Sequence, residues 1–344
     1  MRKLVPLFLI ICLCSAPVLA YGPRGHKLVG AIADRRLAKN QPIAKKVRKL
    51  LDGLTLEQVA TLPDNIKSWD GCHGTPSTAP VTSRKRINAE LRAFVKANLC
   101  SSNPSHHVFH YTDVPVTGNE DYDGGTVGRS KFDVVQMIPF CIRVLRGEEP
   151  ETNDRAITKS VAVILLTHYL GDIHQPLHVG AEYFNADGDA FEPSASNEGF
   201  GDQGGGKLKL FTFMDDDLRS AGKLHGYWDG QTVKNAFGED DTLDPNSAKR
   251  LAARKPADWE LDGDVETWAK QMADEILPLA REARTRLEYE SIKIPSSGHE
   301  IESGNANEKP NDGDFYAIWA AKVVKKEIHK GGWRLAALLE QTLQ

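Results

Sequence analysis

Cysteine is scarce in this chain, 5 among 344 residues, and methionine scarcer still at 4. That count, with a length that can bury a large core, excludes a small disulfide-stapled scaffold. Long apolar runs are missing after residue 20, which excludes a bundle of membrane-spanning helices. An excess of positive charge is missing as well: 43 Lys and Arg stand against 47 Asp and Glu, a net of −4. A protein that grips long duplexes by charge alone would be basic. Any phosphate ligand must be drawn some other way, and bound metal cations would do that. No Asn-x-Ser/Thr sequon with a permitted middle residue occurs. This favours a bacterial periplasm or medium over a eukaryotic secretory route.

What is present begins with a leader. Arg2 and Lys3 are followed by an apolar run from Leu4 to Val18, too short to span a bilayer comfortably, and then by Val18-Leu19-Ala20. The pattern reads as residues 1–20 forming a signal peptide cut after Ala20. The mature chain, residues 21–344, is then secreted or periplasmic, soluble and free of the membrane, and a monomer is expected. Cleavage removes Cys12 and Cys14 and leaves Cys72, Cys100 and Cys141. Export permits disulfides; Cys72 and Cys100 flank one polar segment and are paired here, while Cys141 lies in an apolar stretch as a buried thiol.

Helical periodicity dominates the rest. Helices are expected at Gly25–Ala38, Ile43–Leu51, Ile87–Leu99, Lys131–Arg146, Asp154–Leu170, Asp264–Glu290 and Gly313–Lys330, with a short terminal one at Trp333–Leu343. Lys207–Phe213 is the one good strand candidate, half of a small hairpin. Gly71–Arg86, Asn185–Gly206 and Pro295–Asp312 read as polar loops. The expected fold is all-α: a single mainly helical domain with long loops and at most a small β-hairpin.

Chemistry concentrates in histidine and aspartate. His168 and Asp172 stand four apart on a strongly apolar helix, so they share one face a turn apart. Two ligands on one turn commonly begin a zinc site; a buried His hydrogen-bonded to Asp explains the pair equally well. His178 follows just past a helix-breaking Pro, and His225 with Asp229 repeats the His-x3-Asp spacing. Two such pairs and a third His shift the reading toward zinc. His26 lies five residues after the expected new N-terminus, where a freed α-amino group and the adjoining carbonyl of Tyr21 can chelate a metal. Signal cleavage would then generate a ligand.

In these blocks the sequence resembles the single-strand-specific zinc nucleases of fungi, plants and bacteria, mung bean nuclease among them, relatives of the zinc-dependent phospholipases C. The stretches that carry the resemblance are Tyr21–His26, Ala60–Asp64, His110–Pro115, His168–His178, Leu224–Asp229 and Gly331–Leu339. They follow in family order across nearly the whole mature chain. The resemblance implies three zinc ions per chain. One is held by Asp64, His110, His168 and Asp172. A close second is held by the Tyr21 amino nitrogen and carbonyl oxygen, His26, and Asp172 as a bridge. A third, further off, is held by His178, His225 and Asp229. His174, inside the motif, is expected to orient a neighbour. The chain departs from the family in three places. Tyr21 stands where Trp is usual. The stretch from Asn65 to Phe109 is unusually long and is expected to form a lid or wall. Gly204-Gly205-Gly206-Lys207 replaces a Gly-Gly-Asn element.

The implied reaction is endonucleolytic hydrolysis of single-stranded DNA and RNA to 5′-phosphate products, with 3′-nucleotidase activity. A metal-activated hydroxide attacks phosphorus, Asp64 orients it or takes its proton, and Lys67 is a basic residue at the phosphate. Tyr111 offers a face on which an unpaired base stacks, and Asp113 accepts hydrogen bonds from a base edge. A base inside a duplex is not free to enter, which gives single-strand preference a physical reason. The alternatives are a zinc-dependent phospholipase C on the same cluster and a zinc-binding helical protein without catalysis.

Overall fold

The computed structural model describes residues 21–72, 74–210, 222–238, 244–296, 301–310 and 313–344. The leader, His73, His299 and residues 211–213 of the expected strand lie outside the described residues. In chain order the helices are α1 (Gly22–Leu37), α2 (Gln41–Leu50), α3 (Leu56–Val59), α4 (Leu62–Asn65), α5 (Lys85–Ala97), α6 (Val134–Arg146), α7 (Lys159–Asp172), α8 (Leu224–Asp229), α9 (Gln231–Phe237), α10 (Pro245–Ala253), α11 (Trp268–Thr285) and α12 (Tyr316–Thr342). The chain is mainly helical. Strands are two or three residues long and form five isolated pairs among the described residues. One of them, Lys209–Leu210 against Gly222–Lys223, contains part of the expected strand.

The fold is organised around α7. Its sequence is apolar on every side, and all residues from Ser160 to Asp172 are buried. A helix without a polar face must be surrounded, and α1, α2, α3, α4, α5, α6 and α12 all pack on it. Thr158 caps its start by accepting from the Val161 N–H, which sets the first turn later than the periodicity suggested.

The helix expected to end at Lys330 does not stop at Gly331-Gly332. It runs unbroken from Tyr316 to Thr342. These glycines serve close packing: a Cβ on Gly332 would stand 2.6 Å from the Ile32 Cβ on α1, and one on Gly331 would stand 3.0 Å from the Leu170 carbonyl on α7. The helix expected through Glu290 ends at Thr285, because Leu287–Tyr289 pairs as a strand with Ala306–Glu308. Cys72 and Cys100 form a disulfide that closes the polar segment between them, and Cys141 is a buried free thiol.

Candidate metal centre

Three segments converge on the C-terminal turn of α7. The second turn of α1 brings His26, α4 brings Asp64, and the turn ending at His110 brings that imidazole. Gly171 makes the approach of α1 possible, since a Cβ there would lie 2.5 Å from His26 Nδ1. The rings of His26 and His168 stack with centroids 3.8 Å apart and planes 11° from parallel. All the imidazoles and carboxylates gathered here are buried.

Except between His110 and Asp172, which stand at hydrogen-bond distance, the spacing of these side chains is that of ligands. His168 Nε2 lies 3.4 Å from Asp172 Oδ2 and 3.5 Å from Asp64 Oδ2. His26 Nε2 lies 3.5 Å from Asp172 Oδ1, the other oxygen of the same carboxylate. His110 turns its Nδ1 to Asp172 Oδ2 at 3.0 Å and to Asp64 Oδ1 at 4.0 Å. Atoms roughly 2.0–2.1 Å from one tetrahedral zinc ion sit about 3.4 Å apart. His168 Nε2 and Asp172 Oδ1 are buried without a hydrogen-bond partner, a costly arrangement unless a cation completes it. Asp172 thus presents one oxygen to the Asp64, His110 and His168 group and the other to His26.

A second set lies beside the first. His225 Nε2 is 3.5 Å from Asp229 Oδ2 and 3.0 Å from His178 Nε2. His178 Nδ1 donates to the His110 carbonyl and His225 Nδ1 to the Gly204 carbonyl, each at 2.9 Å. His168 Nδ1 donates likewise to the Ala60 carbonyl at 2.7 Å. A carbonyl only accepts, so these bonds place the proton on Nδ1 and leave Nε2 with its lone pair turned inward. Two such lone pairs face each other between His178 and His225, which is repulsive until a cation stands between them.

The electrostatics match. Burial pushes the His168, His110 and His178 imidazoles below their ordinary range and takes His225 down to about 4, so the rings are neutral, as a metal ligand requires. Burial pushes the Asp172 and Asp229 carboxyls up, with Asp64 adding to both. Burial would raise Asp64 too, but Lys67 and His168 hold it at about 2. Three carboxyl groups in one buried space are suited to cations, and a donor set of imidazole and carboxylate is of the kind that zinc takes.

Tyr21 stands at the edge of both sets. Its side chain is buried, its hydroxyl donates to the His174 carbonyl, and its backbone nitrogen lies 3.2 Å from Asp229 Oδ1. The Tyr21 carbonyl accepts from the Gly25 N–H at 3.0 Å. His174 holds Tyr21 rather than joining the ligands: its Nδ1 donates to the Leu170 carbonyl at 2.7 Å and its Nε2 accepts from Arg334 at 3.0 Å.

Outside the cluster opens a cleft of about 230 Å³, lined by Lys67, His110, Tyr111, Asp113, His178 and His225. Lys67 donates to Asp64 Oδ1 at 2.8 Å. Burial raises Asp113 to about 7, with Asp202 adding to the effect. A larger groove of about 640 Å³ shares Lys67 with the cleft, reaches Asp64, and is walled by residues of the stretch after Asn65, so that stretch forms a wall beside the centre. The sequence reading missed Gln175, whose amide donates to Asp229 Oδ1 at 2.9 Å while its oxygen accepts from the Leu177 N–H. Its place between His174 and His178 was the available signal. Gln203 and His107, which also line the cleft, gave no signal in the sequence.

A family model described as S1/P1 nuclease matches residues 21–344. Among curated proteins the chain is similar to endonuclease 4 of Arabidopsis thaliana, 25% identical over 331 residues, covering 94% of this chain and 89% of that one. It is similar to endonuclease 5 of the same plant at 24% over 330 residues, 94% and 90% of the two chains. With endonuclease 3 it shares 29% identity over 189 residues, 52% and 50% of the two.

Proposed function

The chain belongs to the S1/P1 nuclease family, and on that premise we propose that it is an exported zinc-dependent endonuclease that hydrolyses single-stranded DNA and RNA to 5′-phosphate products and removes 3′-phosphates from nucleotides. The observation that carries this reading is the pair of buried His/Asp sets whose donor atoms stand at ligand spacing around Asp172 and Asp229. Three zinc ions would suit them. Asp64, His110, His168 and Asp172 would hold one. Tyr21, through a freed amine and its carbonyl, would hold a second with His26 and Asp172. His178, His225 and Asp229 would hold the third.

When bound, zinc supplies Lewis acidity and brings the pKa of water toward neutrality. The chain's own residues supply position and charge. Asp64, ionised at neutral pH because Lys67 and His168 outweigh its burial, accepts a hydrogen bond from an attacking water. Lys67 lines the cleft, where it neutralises a phosphate oxygen. Tyr111 presents its ring to a base, and Asp113 faces the base edge. Because Asp113 sits at about 7, its carboxyl is available both as acceptor and, when protonated, as donor. An unpaired base reaches these two residues by stacking; a paired one does not.

Export is supported by the cleavage pattern at Ala20 and by the Cys72–Cys100 disulfide. No described helix is long and apolar enough to cross a membrane. We take the mature protein to act as a monomer. Incubation of protein beginning at Tyr21 with single-stranded DNA, duplex DNA and phosphatidylcholine tests the reading, together with metal analysis. Rapid cleavage of the single strand alone, at three zinc ions per chain, is expected. Hydrolysis of phosphatidylcholine in its place would overturn it.

A further inference from the structure

On a chain of net charge −4, one groove gathers cations. It has a volume of about 580 Å³ and lies between the end of α10 and the middle of α12. Arg254 and Lys255 form one wall; Lys322, Lys325 and Lys326 form the other. All five are exposed. None of its lining residues lines the metal cleft or the wall groove beside it. Lys325 also lines an adjoining cavity of about 180 Å³ that contains Arg250.

The spacing of the lysines is informative. Lys322, Lys325 and Lys326 stand at i, i+3 and i+4, so they project from one helical face, and like charges at that spacing oppose helix formation. Lys255 pairs with Glu260 at 2.9 Å and Lys322 with Asp314 at 2.5 Å, both solvent-exposed pairs. Arg254, Lys325 and Lys326 have no acidic partner within ion-pair distance among the described residues. The one carboxylate next to them in sequence, Glu327, is buried and turned toward Lys330. No exposed aromatic ring lines the groove, so it offers charge without a stacking platform.

We infer that this groove is a second nucleic-acid site, which takes the sugar–phosphate backbone of a strand whose other segment lies in the metal cleft. It rests on the proposed nuclease reading and adds to it how a net-acidic protein retains a long substrate. The division of labour is chemical. The metal cleft reads one base through Tyr111, and the groove grips phosphates without regard to base, sugar or sequence. Its contribution is therefore salt-sensitive, at about 0.7 in the slope of log affinity against log salt for each phosphate neutralised.

The test compares zinc-loaded wild type with the triple variant Lys322→Glu, Lys325→Glu, Lys326→Glu. The probe is a fluorescently labelled oligothymidine, phosphorothioate-linked to slow its hydrolysis and long enough to reach both sites. Binding by anisotropy should weaken about tenfold, and the salt slope should fall by about two. The triple alanine variant should show the same slope change with a smaller loss of affinity. Turnover of a dinucleotide, which cannot span the two sites, should not change. Unaltered affinity and slope in both variants would overturn the groove. So would binding of wild type to phosphatidylglycerol vesicles with oligonucleotide affinity untouched by the substitutions, since the face would then serve a lipid surface. Failure of wild type to turn over the dinucleotide would count against the nuclease reading instead, and the anisotropy would still decide the groove.

Discussion

Two groups in this molecule are built from the same side chains and differ in geometry. Around Asp172 stand His26, His110 and His168; around Asp70 stand His106 and His107. In the second group both rings send Nε2 to one carboxylate oxygen, at 2.9 Å from His106 and 2.5 Å from His107, and the other oxygen accepts the Cys72 N–H. These are hydrogen-bond lengths, and the carboxylate is satisfied. In the first group the gaps from His26 and His168 to Asp172 are 3.4–3.5 Å and Asp172 Oδ1 lacks a hydrogen-bond partner. Composition does not separate a metal centre from a structural His–Asp–His network; the wide gaps from His26 and His168 and the unmet Asp172 Oδ1 favour a cation in the first group, while His110 stands at 3.0 Å from Asp172 there and His106 Nδ1 lacks a partner in the second. The Asp70 group instead braces the wall beside the cleft, next to the disulfide.

The largest expected effect breaks this contrast if it is wrong. Asp172→Asn should remove more than one zinc ion and lower activity by on the order of a thousandfold. Asp70→Asn should keep the full zinc content and most of the activity, at a cost to thermal stability. His225→Ala should lose one ion only. Elemental analysis of the three variants decides it. Zinc loss in Asp70→Asn equal to that in Asp172→Asn would show that both groups bind metal.

Next in size is the N-terminus. Adding one Gly before Tyr21 replaces a basic amine by an amide, which cannot serve as the same ligand. Zinc content should drop toward two per chain and activity by about 10–100-fold, with the helical circular dichroism unchanged. Equal zinc and equal turnover in the two preparations, each confirmed by mass, would return His26 to an ordinary buried imidazole.

How much of this was legible beforehand follows from what kind of signal each part leaves. His168, Asp172, His178, His225 and Asp229 were readable because ligand pairs on one helical turn repeat a spacing. Tyr21 was reached from the expected cleavage after Ala20 and the five-residue step to His26; Asp64 and His110 carry no local pattern and emerged from the family resemblance; the structure brings all three to the same place. Short helices α8 and α9 were missed because one or two turns give periodicity nothing to accumulate. At α10 the Asp244-Pro245 start was visible and unread, although Asp244 caps the helix by accepting from the Asn246 N–H. Gly331 and Gly332 were read as a break because sequence shows a glycine's freedom and hides the neighbour pressed against it. The Asp70 network left no trace, since its members are about 36 residues apart and joined only by the fold.

A pH measurement sharpens the contrast further. Burial, with His107 adding, takes His106 down to about 4 from an ordinary 6.5. The unfolded chain therefore takes up that proton first as pH falls. The stability linked to His106 is whole above about 6.5, is lost progressively between 6.5 and 4, and stays level below. The full shift corresponds to about 3 kcal/mol, an order-of-magnitude figure. His106→Gln should remove that part of the acid sensitivity in zinc-loaded protein, because His106 is not among the proposed zinc ligands. Melting temperatures across this interval give the answer. Parallel curves for wild type and variant would show that His106 is already charged in the fold.

The smallest effect lies in the cleft that both groups border, through His107 on one side and His110, His178 and His225 on the other. Tyr111 stands between them, half-buried, with burial raising its hydroxyl above the ordinary phenol range. The ring therefore enters the cleft as a neutral face. Its backbone carbonyl accepts the Val134 N–H that starts α6, so the main chain at this position is held independently of the side chain. Tyr111→Ala should then leave the zinc sites in place and remove only the stacking surface. Nucleotide affinity should fall by about 1–3 kcal/mol for the stacked base, read as a rise in KM, while hydrolysis of a small base-free phosphodiester keeps its rate. Tyr111→Phe should restore binding, since a base stacks on a ring and makes no use of the hydroxyl. Equal losses on the nucleotide and the base-free substrate, with no rescue by Phe, would make Tyr111 a packing residue that supports His110. Single-strand preference would then have to arise from the shape of the cleft alone.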